Sequence, residues 1–225
     1  MPAPVPFYLI CAVQRAGTRL LCEYLAGTER AGLPPGDLFD MSIGAVPFDL
    51  PAAVGAASTP NGIAGFRMFW NGWEACLARL GARGAHAAHE EFFSGVPFVW
   101  LRRRDTLRQA VSFWRATTPH EQFRFPEDPS TPVNAPKFDA RAIRRFVELV
   151  ERQDAQWGLW FREHGIAPLE VAYEDLDGDP AATVDAVLNH LGVRADVALA
   201  HPRVKRQADR LTEQYVERYR QLGRL

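Results

Sequence analysis

Four short apolar runs, each followed by a stretch with helical periodicity, constrain this chain more than any other feature. They are Phe7 to Val13, Gly62 to Phe69, Pro97 to Leu101 and Ala167 to Tyr173. Short apolar runs bounded by turn residues suit strands buried on both faces, and strands that alternate with helices imply a parallel sheet. The helical stretches are Arg19 to Leu25, Asn71 to Leu80, Thr106 to Ala116 and one that begins near Pro180, where proline suits the first turn. In the first of these, Leu20, Leu21, Tyr24 and Leu25 form an apolar stripe that Gly27 stops. A longer helix, Asp139 to His164, sets Ile143, Phe146, Val147, Val150, Trp157, Trp160 and Phe161 on one stripe, which reads as core. The expected fold class is α/β, a three-layer arrangement with a P-loop-like central parallel sheet flanked by helices.

At 225 residues and 47% hydrophobic content, one sizeable core is expected, so residues 1–225 read as a single domain. Two segments resist the alternating pattern and read as long loops: Gly32 to Pro60, and Thr117 to Pro136 with its five prolines between Pro119 and Pro136. Twenty-six Lys and Arg against twenty-seven Asp and Glu leave a formal charge of -1, so no global basic field draws the chain to nucleic acid. Any anion site must be local. Cys11, Cys22 and Cys76 are widely spaced and lack zinc-site spacing, which suits reduced thiols and a cytoplasmic protein. No basic residue precedes Phe7 to Val13, so a strand rather than a signal peptide is expected there, and charges or prolines interrupt every candidate membrane span.

Two constellations carry chemistry. Gln14-Arg15-Ala16-Gly17-Thr18-Arg19 sits where a buried strand turns into a helix, so backbone N–H groups and the helix dipole can cradle an anion, with Arg15 adding charge and Thr18 a hydroxyl. The segment lacks the lysine of a Walker loop, which disfavours ordinary ATP or GTP binding. Further on, Arg102-Arg103-Arg104 ends a strand and Ser112 lies on the following helix. Crowded arginines call for a neutralising anion, guanidinium forks suit a phosphate monoester, and ligands of parallel sheets bind beyond the carboxyl ends of strands. A solvated charge run is the bland alternative.

At these residues the chain resembles sulfotransferases that use 3′-phosphoadenosine 5′-phosphosulfate (PAPS). The segments YLICAVQRAGTRLL, GFRMFWN, RQAVSFWRA, the region around Gln156-Trp157, and RQADRLTEQYVERYR are similar to the bacterial trehalose 2-sulfotransferase family and its lipopolysaccharide-sulfating relatives. Tyr173-Glu174-Asp175-Leu176 followed by Asp179-Pro180 is similar to a segment of cytosolic sulfotransferases. The resemblance implies the sulfotransferase fold and transfer of a sulfuryl group to a hydroxyl of a small carbohydrate or glycolipid acceptor. It also suggests a homodimer. Arg15, Ala16, Gly17, Thr18 and Arg19 would then hold the phosphosulfate end of PAPS. Ser112 would hold the 3′-phosphate together with Arg103 or Arg104: Arg104 has the spacing of the cytosolic enzymes, Arg103 fits the trehalose enzymes, and both stand. Tyr173 falls where relatives contact adenine, and Arg206-Gln207 opens a segment that would close over the nucleotide.

Sulfuryl transfer also needs a base for the acceptor proton and charge stabilisation on the moving group. Arg15 supplies the charge. The trehalose enzymes carry a glutamate in the loop matching Gly32 to Phe39, where this chain has Gly36. Asp37 fits with a one-residue offset and is the candidate base, with His86, His89 and His120 as lesser candidates. Arg67, at the end of a strand, would orient the acceptor or stabilise the sulfuryl group. Phe48, Phe69, Trp70 and Trp73 would suit an apolar part of the acceptor. No catalytic metal is expected. Rival readings are a nucleotide-dependent small-molecule kinase, and a PAPS-site protein that has lost turnover.

Overall fold

The structure is a computed structural model that describes residues 7–32, 50–79, 90, 93–117, 136–193 and 210–223. In chain order the elements are β1 (Phe7–Ala12), α1 (Thr18–Gly27), α2 (Leu50–Ala57), β2 (Ala64–Phe69), α3 (Trp70–Arg79), β3 (Phe98–Arg102), α4 (Thr106–Thr117), α5 (Ala140–Glu163), β4 (Leu169–Ala172), α6 (Tyr173–Gly178), α7 (Pro180–His190) and α8 (Arg210–Leu222). The four strands form one parallel sheet in the order β2-β1-β3-β4.

Alternation along β1 explains the layers. Phe7, Leu9 and Cys11 face one way and Tyr8, Ile10 and Ala12 the other, as the two-residue period of a strand requires. The first set joins Phe98 and Trp100 of β3 under Trp157, Trp160 and Phe161 of α5, with Trp73 of α3 beside them. The second set packs with Val99 and Leu101 against Leu21 and Leu25 of α1 and Val184, Val187 and Leu188 of α7. Both faces are covered, which is why the strands read as continuous apolar runs. Helix α5 is the longest element, and its stripe is core as expected: Ile143, Val150, Trp157, Trp160 and Phe161 are buried and Phe146 and Val147 partly so. Asp139 caps it, accepting the N–H groups of Arg141 and Ala142.

Three expectations change. The segment Gly32 to Pro60 contains a helix, α2, because its alanines favour helix and Pro51 lies in the first turn, where it removes no needed donor. Tyr173 is the first residue of α6 rather than the end of a strand, and β4 stops at Ala172. Trp73 is fully buried against Phe93, Trp157 and Trp160, so it belongs to the core and cannot line an acceptor pocket. Cys11 and Cys22 are buried free thiols. No helix among the described residues is long and apolar enough to cross a membrane.

Candidate functional site

In this sheet the chain leaves β1 toward β2 on one side and leaves β3 toward β4 on the other. The carboxyl ends of β1 and β3 therefore flank a topological switch point, where the outgoing connections diverge and open a crevice. The loop after β1 carries Arg15 to Gly17, and the loop after β3 carries Arg103 and Arg104. The two constellations that stood far apart in sequence meet here.

The β1–α1 loop is built from residues of alternating hand. Arg15 has φ 69 and Gly17 has φ 95, while Ala16 between them stays at negative φ. Such alternation turns successive N–H groups toward one concavity suited to an anion. Gly17 is also the N-cap of α1 and gives it no side-chain cap, so the first-turn N–H groups lack a capping acceptor from that residue. Glycine is needed at this point twice over: a Cβ would adopt an unfavourable hand and would lie 2.4 Å from Cδ2 of Tyr173. Ala16 and Thr18 are buried beneath the loop, and Arg19 faces outward, 3.4 Å from Glu23.

From the opposite side, α4 presents Ser112, whose hydroxyl accepts a hydrogen bond from Arg15 Nε at 3.0 Å across 97 residues of sequence. The three arginines are not equivalent. Arg102 grips Asp154 of α5 (Nη2 to Oδ2, 2.6 Å) and lies 3.4 Å from Glu170 of β4. Arg104 makes a two-pronged pair with Asp175, at 2.7 and 2.6 Å. Arg103 makes no ion pair among the described residues: its guanidinium stacks 4.5 Å from the Tyr173 ring, Nη1 reaches the Arg15 carbonyl at 3.4 Å, and Nε is buried without a hydrogen-bond partner. Burial pushes the Arg103 guanidinium down from its ordinary value, partly offset by Tyr173 and the nearby carboxylates. Crowding of the three arginines is thus relieved by direct carboxylate pairs at two positions and, among the described residues, only at longer range, by Glu174 and Asp105, at the middle one.

Two clefts meet at Arg103 and Thr106. The smaller, about 580 Å³, opens on the Arg103–Tyr173 stack and includes Arg108 and Arg220. The larger, about 770 Å³, runs along α5 beside Asp154 and Glu170 and is also lined by Val13 and Gln109. Arg67 lies inside β2, paired in register with Ile10 and half-buried, two residues before the strand ends rather than at its end. Phe69 and Trp70 are half-buried at the strand's exit. Asp37, Gly36, Phe48, His86, His89, His120, Arg206 and Gln207 lie outside the described residues.

Two site residues escape a reading of the sequence alone. Gln109 is buried and donates to the Gln14 carbonyl at 2.9 Å and the Val13 carbonyl at 3.4 Å. The signal available was its position three residues before Ser112 on one helix, hence on the same face. Glu174 of α6 accepts the backbone N–H groups of Arg104 and Asp105, at 3.0 and 3.2 Å, and so ties down the β3–α4 loop.

Comparison with known proteins gives the family and the fold. The chain matches the family model described as Stf0 sulphotransferase over residues 46–222. It is 31% identical to trehalose 2-sulfotransferase of Mycobacterium tuberculosis, covering 95% of this chain and 94% of that protein, and 30% identical to trehalose 2-sulfotransferase of Mycolicibacterium smegmatis with the same coverage. Among solved structures it resembles a sulfotransferase from Alicyclobacillus acidocaldarius, with a TM-score of 0.56, 15% identity, and coverage of 97% of this chain and 92% of that one. The sheet order, the paired loops at the switch point and these relatives converge, and the chain belongs to the Stf0 sulphotransferase family.

Proposed function

We propose that this sulfotransferase uses PAPS as donor and transfers its sulfuryl group to a hydroxyl of a small carbohydrate acceptor. The observation that carries the reading is the meeting of Arg15 with Ser112 at 3.0 Å, beside a half-buried arginine that forms no ion pair among the described residues and whose buried Nε has no hydrogen-bond partner. A donor with phosphates on both sides of its ribose needs two anion sites close together, and this crevice has a backbone cradle at Arg15 to Gly17 and a hydroxyl with a guanidinium at Ser112 and Arg103.

In this reading the cradle, with Thr18 and Arg19 in the first turn of α1, holds the phosphosulfate end. Arg103 rather than Arg104 partners Ser112 at the 3′-phosphate, because the Arg104 charge is already met by Asp175. Tyr173, held between Gly17 and Arg103, offers its ring to the adenine. The resemblance to relatives adds Arg206 and Gln207 as nucleotide-binding residues. The acceptor oxygen attacks sulfur as the bond from sulfur to the 5′-phosphate oxygen breaks, releasing adenosine 3′,5′-bisphosphate. Arg15 stabilises the charge on the moving group, Arg67 orients the acceptor, and Asp37 takes the hydroxyl proton. The sugar class follows from the relatives, which act on trehalose by name.

The test is calorimetric titration of the intact chain with adenosine 3′,5′-bisphosphate, using adenosine 5′-monophosphate and ATP as controls. Binding that requires the 3′-phosphate and weakens in both Arg15→Ala and Ser112→Ala is expected, followed by sulfation of a sugar panel that Asp37→Asn abolishes. Equal or tighter binding of ATP would return the kinase reading, and nucleotide binding with no turnover on any acceptor would favour a protein that keeps only the site.

A further inference from the structure

Four consecutive backbone carbonyls at the exit of β1 are held by side chains from distant parts of the chain. Trp157 Nε1 of α5 donates to the Ala12 carbonyl at 3.1 Å. Gln109 Nε2 of α4 donates to the Gln14 carbonyl at 2.9 Å and, more loosely, to that of Val13 at 3.4 Å. Arg103 Nη1 reaches the Arg15 carbonyl at 3.4 Å. A strand-end carbonyl usually meets water or a neighbouring strand, yet Gln109 is only 2% exposed and spends its amide here.

The loop so gripped contains a backbone state that needs support. Arg15, at φ 69, keeps a left-handed backbone that is unfavourable for a residue with a Cβ, and such a state persists only where its surroundings over-determine it. The peptide unit is planar and trans, so fixing the Gln14 carbonyl fixes the opposite direction of the Arg15 N–H. One amide on α4 therefore sets the two peptide planes that lead into the anion cradle. Because Gln109 and Ser112 are three residues apart on α4, the same helix face sets how far the loop stands from the hydroxyl that meets Arg15.

We infer that Gln109 is a positioning residue: it holds the Val13–Arg15 peptides in the form that binds an anion, without touching donor or acceptor. Its consequence for donor affinity rests on the proposed PAPS site, while its hold on the loop does not. The two are separable by experiment. Gln109→Met keeps the side chain's length and removes the donor. Phe93→Leu, buried against Phe7 at the opposite end of β1, serves as a reference for general loss of stability. The intact proteins would be compared by titration with adenosine 3′,5′-bisphosphate and by amide hydrogen exchange.

Expected for Gln109→Met is a loss of nucleotide affinity of about tenfold or more, since the part-buried Gln14 carbonyl loses its side-chain donor and the Val13 carbonyl is left with the Ala16 N–H alone. Exchange should accelerate across residues 13–19 while β2 keeps its protection. Phe93→Leu should lower Tm yet leave the affinity within about twofold. Where activity is measurable, Gln109→Met should raise the KM for the donor more than it lowers kcat. Should Gln109→Met not yield folded protein, Gln109→Glu, which keeps the shape but offers no N–H when ionised, carries the same expectation. Unchanged exchange over residues 13–19 together with wild-type affinity would overturn the inference. Faster exchange at the loop in a protein whose wild type ignores the nucleotide would uphold the hold on the loop and remove the donor site.

Discussion

Arg102 and Arg104 pair with carboxylates contributed by α5, β4 and α6, and Arg103 between them forms no ion pair among the described residues. A half-buried guanidinium whose buried Nε finds no partner carries a desolvation cost that a bound anion can offset, whereas an exposed pair is worth little and is screened by salt. The contrast predicts unequal outcomes for two adjacent substitutions. Arg103→Ala should weaken adenosine 3′,5′-bisphosphate by about tenfold or more, because a charge-assisted hydrogen bond in a partly buried site is lost. Arg104→Ala should stay within about twofold of wild type, since only its surface pair with Asp175 goes. Equal losses in a parallel titration would mean that Arg104 leaves Asp175 to meet the nucleotide. Spacing in the sequence left Arg103 and Arg104 both open, because the carboxylate that separates them, Asp175, lies 71 residues from Arg104 and only the fold brings it near.

At the level of elements, α8 is fastened to α4 by polar contacts as much as by packing. Arg108 Nη2 meets Glu213 at 2.7 Å, Arg115 donates to Thr212, and Asp105 at the head of α4 joins Arg108 and Arg220. Val111, Trp114 and Val216 close the apolar part. Asp105 is pushed up by burial, but the Arg108 N–H and guanidinium and then Arg220 outweigh this and hold its carboxyl below the ordinary 3.8. A folded-state value below the unfolded one adds stability that is fully present above about pH 4 and disappears as pH falls through the folded value. Tm of the wild type should therefore drop as pH falls below about 4, and Asp105→Asn should start lower but follow a flatter course over that range. Parallel curves for the two proteins would show that other carboxylates set the acid response. The segment that forms α8 entered the sequence reading only through its likeness to relatives, although Leu211, Tyr215, Val216, Tyr219 and Leu222 stand at helical spacing opposite the exposed Glu213, Glu217, Arg218 and Arg220. Helix α2 was hidden because counting Gly and Pro outweighed the alanines between them.

For the molecule as a whole, the alternation of strand and helix was legible because both faces of the sheet are buried, so the strands stand out as apolar runs. Strand order was not legible, since nothing in an apolar run says which neighbour it will take. That order decides the site. With β1 and β3 adjacent, Arg15 meets Ser112 across 97 residues, Gln109 meets Gln14 across 95, and Arg103 meets the Arg15 carbonyl across 88. An unfolded chain cannot hold these groups together, so a ligand of the crevice binds the native state alone and must shift global unfolding rather than loosen or tighten one element. At a nucleotide concentration one hundred times Kd, linkage gives about 2.7 kcal/mol of added stability, roughly 5–10 °C in Tm for a protein of this size. Adenosine 3′,5′-bisphosphate should produce that rise in a single cooperative transition, with adenosine 5′-monophosphate at equal concentration producing far less. A nucleotide that raised only part of the melting curve would mean that the crevice belongs to a subregion unfolding apart from the β1–β3 pair, and the sheet would then not be the element that unites the site.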